Sequence, residues 1–223
     1  GYQEIAKARA KTVSAHKLLL EALDDVKNLA PAKLEAVIDE TIEVAIKYKS
    51  QTKLNNQSQA QIFKTFSPLI FKMQQLEKNI MNSSQLVIDA DSNRRPIIDF
   101  LYQDLPTLST VYGQGRAFGS YVLALNFIDS GTTDALNTVF GDLDAAYAQF
   151  EQGFPQVLPE NRPDIESSSL KLLSDIRSAQ DLIDIEIISA MNFELPWLDF
   201  EKSMSQVLLN KEEFVGLLID YVE

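Results

Sequence analysis

The residues with the clearest potential for binding chemistry surround one arginine in the middle of the chain. Arg116 lies within the run Gly113-Gln114-Gly115-Arg116-Ala117-Phe118-Gly119. A guanidinium presents a planar set of donors that matches a carboxylate, a nitrate or a similar anion. Gly115 and Gly119, four residues apart on a helix, would let another helix approach closely, and the same gap could admit a small ligand. The alternative for Arg116 is an ordinary ion pair on the surface or between helices.

The residue sets needed for catalysis or for a metal site are incomplete. The chain has one histidine and no cysteine, so a serine–histidine–aspartate triad, a two-histidine metal site and thiolate chemistry each lack a component. Glu35, Asp39 and Glu43 share a helical face, but acidic rows on helices are usually solvated. Asp89 and Asp91 resemble the start of a calcium loop without its later glycine and glutamate. We therefore predict no catalytic residue, no metal and no cofactor.

Length and charge restrict the classes of function further. The 223 residues suit one large domain or two small ones. A net charge of −12 argues against nucleic-acid binding and against docking on anionic lipid, because both require a cationic surface. The longest apolar run, Tyr121 to Leu125, is too short to span a membrane. The chain opens at Gly1 with a helical pattern, which we interpret as a piece of a longer protein.

The elements that must position these residues are helices. Apolar residues recur at spacings of three and four, and strict alternation is absent. We predict an all-α fold, an elongated antiparallel helical bundle, for which one arrangement is two stacked four-helix-type bundles that share long helices. One long helix should run through Pro106, stop at Ser130-Gly131-Thr132, and be followed by a helix that Thr132 or Thr133 caps. Residues 153–163 should form a loop with three prolines, and a last helix should begin at Trp197.

Several short motifs resemble those of a known group of bacterial sensors. They are Ser84-Gln85-Leu86-Val87-Ile88-Asp89-Ala90-Asp91, then Leu105-Pro106-Thr107-Leu108, then Gly115-Arg116-Ala117-Phe118-Gly119-Ser120. In order and spacing they resemble the periplasmic helical-bundle sensor regions of methyl-accepting chemotaxis receptors, sensor histidine kinases and diguanylate cyclases. Trp197-Leu198-Asp199-Phe200 is similar to the opening of the helix that enters the second membrane span in these receptors. The likeness covers roughly residues 63–223.

This resemblance implies a function and a location. It implies the periplasmic portion of an inner-membrane receptor, a homodimer, and recognition of a small anionic ligand or of a periplasmic binding protein. The fragment itself would not be an enzyme, although the full protein could carry a kinase, cyclase or chemotaxis output domain. The predicted ligand contacts are Arg116 and, behind it, Arg94, Arg95 and Tyr112. The last helix, with Trp197 and Phe200 near its start, would relay the signal, while Gly115 and Gly119 would provide close helix packing.

The sequence also yields a domain division and an alternative function. We expect a single sensor domain over residues 1–223, with possible sub-bundles of about 1–95 plus 196–223 near the membrane and 96–195 away from it. The alternative function is a structural or protein-interaction bundle without a small-molecule ligand.

Overall fold

A computed structural model describes Ser14 and residues 17–25, 27, 34–50, 59–83 and 94–222. This part of the chain is helical and contains no strand, which confirms the predicted all-α helical bundle; the elongated antiparallel arrangement of the whole chain stays a prediction. Residues 17–25 are helical. The longer elements are α1 (Glu35–Ser50), α2 (Gln59–Ser83), α3 (Arg95–Leu125), α4 (Ser130–Val157), α5 (Pro163–Ile183), a π-helical turn (Asp184–Ile188) and α6 (Trp197–Val222).

The chain divides into two compact units, Gly1–Gln85 and Leu86–Glu223. The first unit packs α1 against α2 and the helical residues 17–25. Its core consists of aliphatic side chains at helical spacing, because each helix turns one apolar stripe inward. The buried members are Leu23, Leu34, Ile38 and Leu76.

The second unit contains α3 to α6, and its contacts show the direction of each helix pair. On α3 and α4, Asp104 accepts a hydrogen bond from Gln149 at 2.5 Å, whereas the later Gly115 lies beside the earlier Val139. On α3 and α6, Phe100 packs against Phe214 with ring centroids 6.5 Å apart, whereas Arg116 bonds Ser205. Later residues of α3 thus meet earlier residues of its partners, so α3 runs opposite to both α4 and α6.

Four phenylalanines form an aromatic cluster within this core. Phe100, Phe150, Phe154 and Phe214 are all buried, and their ring centroids lie 5.2 to 6.5 Å apart. Aromatic rings at such separations attract one another, and this attraction adds to the stabilisation that comes from burying their apolar area. This packing accounts for a difference from the sequence prediction: α4 continues through Pro155 to Val157, where a loop over 153–163 was expected. Burial of Phe154 among three other rings stabilises the last turns of the helix despite the proline.

A second boundary also differs from the prediction. The stop expected at residues 130–132 is wrong, because α3 ends at Leu125 and α4 already begins at Ser130. The Asp129 carboxylate accepts a hydrogen bond from the Thr132 amide at 2.7 Å and caps α4. A capping carboxylate satisfies an amide that would lack a partner in the first turn, so Gly131 is accommodated inside the helix.

The end of α5 and the start of α6 pack closely against α3. A Cβ atom built on Gly119 would lie 2.6 Å from Phe200 Cε1 and 2.7 Å from Ile187 Cδ1, and one on Gly115 would lie 3.0 Å from Ile183 Cδ1. Phe200 and Ile187 are buried. The two glycines predicted for close packing therefore lie where side chains of the π-helical turn, α5 and α6 come nearest to the α3 backbone.

The last helix belongs to the second unit. The predicted sub-bundles grouped residues 196–223 with the first 95 residues, whereas Trp197–Val222 packs against α3 and α5 within Leu86–Glu223. The motif at Ser84 to Asp91 lies outside the described residues. Among the helices that the structure describes, none combines the length and the apolar character needed to cross a membrane.

Candidate functional site

The four predicted ligand contacts do not form one site. Arg94 precedes α3 and Arg95 begins it, whereas Arg116 lies 21 residues farther along the same helix. At 1.5 Å per residue this separates Arg95 from Arg116 by about 32 Å. A small ligand cannot contact both, so the structure brings together Arg116 and Tyr112 but not the two earlier arginines.

Arg116 connects α3 to α6. One guanidinium nitrogen, Nη1, donates a hydrogen bond to Ser205 Oγ at 2.9 Å and lies 3.8 Å from Glu201 Oε1. Ser205 Oγ in turn donates to Glu201 Oε1 at 2.8 Å. The guanidinium remains about one third exposed. Arg116 thus forms the inter-helix ion pair that was its alternative reading, and an anionic ligand would have to compete with Glu201.

Tyr112 is a core residue. Its side chain is buried, and its hydroxyl donates to the Met204 sulfur on α6 at 3.3 Å. Burial raises the pKa of the Tyr112 hydroxyl above its usual value, and the nearby Arg116 charge partly opposes that rise. A neutral, buried tyrosine positions α6 against α3 and offers little to a ligand from solvent.

Arg94 and Arg95 lie at the opposite end of α3. Arg94 Nη1 donates to the Val222 carbonyl at 3.1 Å, and Arg95 Nε lies 3.8 Å from Asp99 Oδ2. Nearby, Arg162 pairs with Asp164 at 2.7 Å, and this hydrogen bond lowers the pKa of the Asp164 carboxyl to about 2. Arg94 thus links the start of α3 to the end of α6, whereas the Arg95–Asp99 and Arg162–Asp164 pairs each lie at the start of a single helix.

A groove lies between α5 and α6. Its volume is about 660 Å³, within the usual range for small-molecule sites. We call it the α5–α6 groove. Its apolar lining is Ala179, Leu182, Met204 and Val207, and its polar lining is Asp175, Ser178, Asp199, Lys202, Ser203 and Gln206.

A hydrogen-bond network fixes one end of the α5–α6 groove. Asn210, buried on α6, donates from Nδ2 to Asp175 Oδ2 on α5 at 2.6 Å. The Asn210 carbonyl oxygen accepts from Gln206 Nε2 at 3.1 Å and from Lys171 Nζ at 3.4 Å. The network joins the two walls of the groove, so that any change in their spacing alters partly buried hydrogen bonds.

The other end of the α5–α6 groove carries exposed polar groups. Asp199, Lys202 and Ser203 form no side-chain hydrogen bond or ion pair with the residues that the structure describes. With Asp175, the groove offers two carboxylates and one ammonium above an apolar floor. This set matches a small molecule that carries both an ammonium and a carboxylate better than it matches a simple anion.

Periodicity alone missed this groove. Asp199, Lys202, Ser203 and Gln206 recur at spacings of three and four, the signal of one polar helical face. Such a face is normally solvated, and only its pairing with the polar side of α5 makes it a groove wall.

Candidate metal ligands can be assessed in the described part of the chain. Asp39 pairs with Lys27, and no group of three or more His, Asp or Glu side chains suited to a metal ion occurs among the described residues. The Asp89-x-Asp91 pattern lies outside them.

Comparison with known proteins gives no relative from which a role could be transferred. No protein-family profile, no curated protein and no solved structure matches the chain. Its function is therefore inferred from its own residues.

Proposed function

We propose that the chain is the extracytoplasmic ligand-sensing domain of a bacterial transmembrane signalling receptor, and that a small ligand binds in the α5–α6 groove. The receptor class, the periplasmic location and the homodimer rest on the sequence motifs given above. The all-α fold is compatible with them. The groove adds a place for the ligand and a class of ligand.

One observation carries this proposal: the N-terminal half of α6 contributes both to the α5–α6 groove and to the contact with Arg116. It contributes Asp199, Lys202 and Ser203 to the α5–α6 groove, and it contributes Glu201 and Ser205 to the contact with Arg116. A ligand at either place touches the helix that the sequence motifs assign to signal relay. No intermediate element is needed to pass the change on.

The proposed mechanism is a shift between two packings of α6. A zwitterionic ligand would place its carboxylate at Lys202 and its ammonium at Asp175 or Asp199. A contact with Asp175, which lies on α5, would draw α5 and α6 together. Binding favours the packing that fits the ligand better, by the difference between its affinities for the two. Buried interfaces such as that of Tyr112 with Met204 tend to switch between discrete arrangements rather than deform smoothly.

A thermal-shift screen tests whether such a ligand exists. The panel should contain amino acids, small carboxylic acids, nitrate and diamines. A ligand at about one hundred times its Kd stabilises the folded state by about 2.7 kcal/mol. For a chain of this length that corresponds to a rise in Tm of roughly 5–11 °C. If no compound of the panel raises Tm, the result would favour the alternative, a bundle that binds only other proteins.

Variants then locate the binding site of any compound that raises Tm. Lys202→Ala and Asp199→Asn should each weaken binding about tenfold or more in calorimetric titration, because each removes one charged partner. Glu212→Gln, exposed on the same helix outside the groove, is the matched control and should bind as the parent does. Arg116→Ala should abolish binding of a simple anion only if that anion replaces Glu201. If all four variants bind the compound as tightly as the parent chain does, neither the α5–α6 groove nor the Arg116 contact is the binding site.

A further inference from the structure

One end of the second unit combines two inter-helix turns. Residues 126–129 join α3 to α4, and residues 189–196 join the π-helical turn to α6. Both turns lie at the same end, because Gly119 near the end of α3 packs against Ile187 before the second turn and Phe200 just after it. We call this surface, with the adjoining helix ends, the turn end.

The turn end exposes several large apolar side chains. Phe127 is 61% exposed, Ile185 is 63% exposed and Met191 is fully exposed. Leu125 and Leu198 are also exposed at the same end. Single exposed apolar residues are normal, but several on adjoining turns are typical of an interaction surface.

Hydrogen bonds hold the backbone of these turns in place. The Phe127 amide donates to the Val122 carbonyl at 3.3 Å, after Asn126 in a left-handed conformation with φ of 52°. Across the end, the Ser189 amide donates to the Asp184 carbonyl at 2.7 Å. Phe127 and Ile185 are thus presented to solvent by ordered backbone, which lowers the entropic cost of binding there.

The same end is rich in acidic residues. Residues 117–161 and 178–201 contain no lysine, arginine or histidine. Seven carboxylates lie in these turns or in the adjoining helix ends, and five of them are exposed. They are Asp129, Asp134, Asp181, Asp184, Glu186, Glu194 and Asp199.

We infer that the turn end is a docking surface for a separate protein with an apolar contact patch rimmed by lysine and arginine. Charge decides between the possible occupants. A second copy would bring an equally acidic end against this one, and nucleic acid or an anionic lipid surface would be repelled for the same reason. A basic protein gains from both features, since its rim pairs with the carboxylates and its centre buries Phe127, Ile185 and Met191. The inference does not depend on the α5–α6 groove.

A defined peptide probes this chemistry on the intact chain. The probe is a synthetic amphipathic helix with leucine on one face and lysine on the other, and its binding is measured by fluorescence anisotropy. A peptide of equal charge with serine in place of leucine should bind about tenfold more weakly or worse, because it buries no apolar area. Binding of the leucine–lysine peptide should weaken as salt rises from about 0.05 M to about 0.5 M.

Two variants test the two features separately. Phe127→Ser with Met191→Ser removes the apolar side chains, and Asp181→Asn with Glu186→Gln and Glu194→Gln removes three charges. Each should weaken peptide binding about tenfold or more, with an unchanged circular dichroism spectrum. None of these residues lines the α5–α6 groove, so a failure here leaves the ligand-sensing proposal untouched.

The matched control removes the same charge elsewhere. Glu166, Glu212 and Glu213 are exposed on α5 and α6 away from the turn end, and their replacement by glutamine should change affinity less than about twofold. An equal loss in control and turn-end variants would mean that net charge alone attracts the peptide, and would overturn the inference. Binding of phosphatidylglycerol vesicles, or self-association that Phe127→Ser with Met191→Ser abolishes, would assign the surface to a membrane or a second copy and would equally overturn it.

Discussion

Replacing Gly119 by alanine tests the close packing of α3 against the start of α6. The added Cβ would lie 2.6 Å from Phe200 Cε1 and 2.7 Å from Ile187 Cδ1, whereas carbon atoms normally pack at about 3.5–4.0 Å. Both neighbours are buried, so each must move by about 1 Å within a packed core. Overpacking of this kind costs about 1–3 kcal/mol, and removing a helical glycine returns about 0.5–1 kcal/mol. We expect a net loss of roughly 1–2 kcal/mol.

Thermal unfolding followed by circular dichroism measures this loss. At about 2–4 °C per kcal/mol, Gly119→Ala should lower Tm by about 2–8 °C. Gly113→Ala and Gly141→Ala are matched controls, because both glycines are helical and a Cβ on either meets no atom within 4 Å. They should raise Tm by about 1–4 °C through helix propensity alone. A Tm of Gly119→Ala equal to that of the two controls would refute the close approach of Phe200 and Ile187.

Three further predictions concern polar groups. Ser120→Ala should be neutral or stabilising by up to about 1 kcal/mol in chemical denaturation, because Ser120 Oγ is buried and no described residue bonds it; a clear loss would reveal a partner. Arg162→Ala should return the pKa of Asp164 from about 2 toward its usual value in a carboxyl NMR titration, and the stability that the pair provides should disappear as pH falls from about 4 to 2. Burial raises the pKa of the Tyr112 hydroxyl, so Tyr112 should ionise only on unfolding, and the fold should lose stability as pH rises above about 10, where the unfolded chain ionises. Tyrosinate absorbance of the folded chain, compared with that of Tyr112→Phe, measures this.

Periodicity in the sequence was sufficient to predict the helices and most of the buried faces. On α5, for example, Ile165, Leu172 and Ile176 recur at the spacing of one helical face, and all are buried. Leu125 continues the apolar spacing of α3 but is 53% exposed, because α3 ends at that residue. Spacing within a helix predicts its inner face but says little about where the helix ends.

The helix boundaries and the site depended on contacts between distant residues. Pro155 reads as a loop residue locally, but Phe154 packs against Phe100 and Phe214 from other helices and keeps α4 helical. The α5–α6 groove arises in the same way, from polar faces that each look solvated in isolation. Arg116 was predicted from its own chemistry, yet its partners Glu201 and Ser205 lie 85 and 89 residues away in the chain, where no local pattern could reveal them.

The most direct test of the proposed function is the fluorescence of Trp197, the only tryptophan of the chain, at the first position of α6. The titrant is a compound that raises Tm in the thermal-shift screen. If its binding in the groove shifts α6, the emission of Trp197 should change with a saturation curve that matches the calorimetric Kd, and Lys202→Ala should move both curves together. Saturable binding that leaves Trp197 emission unchanged would contradict the claim that α6 responds to the ligand.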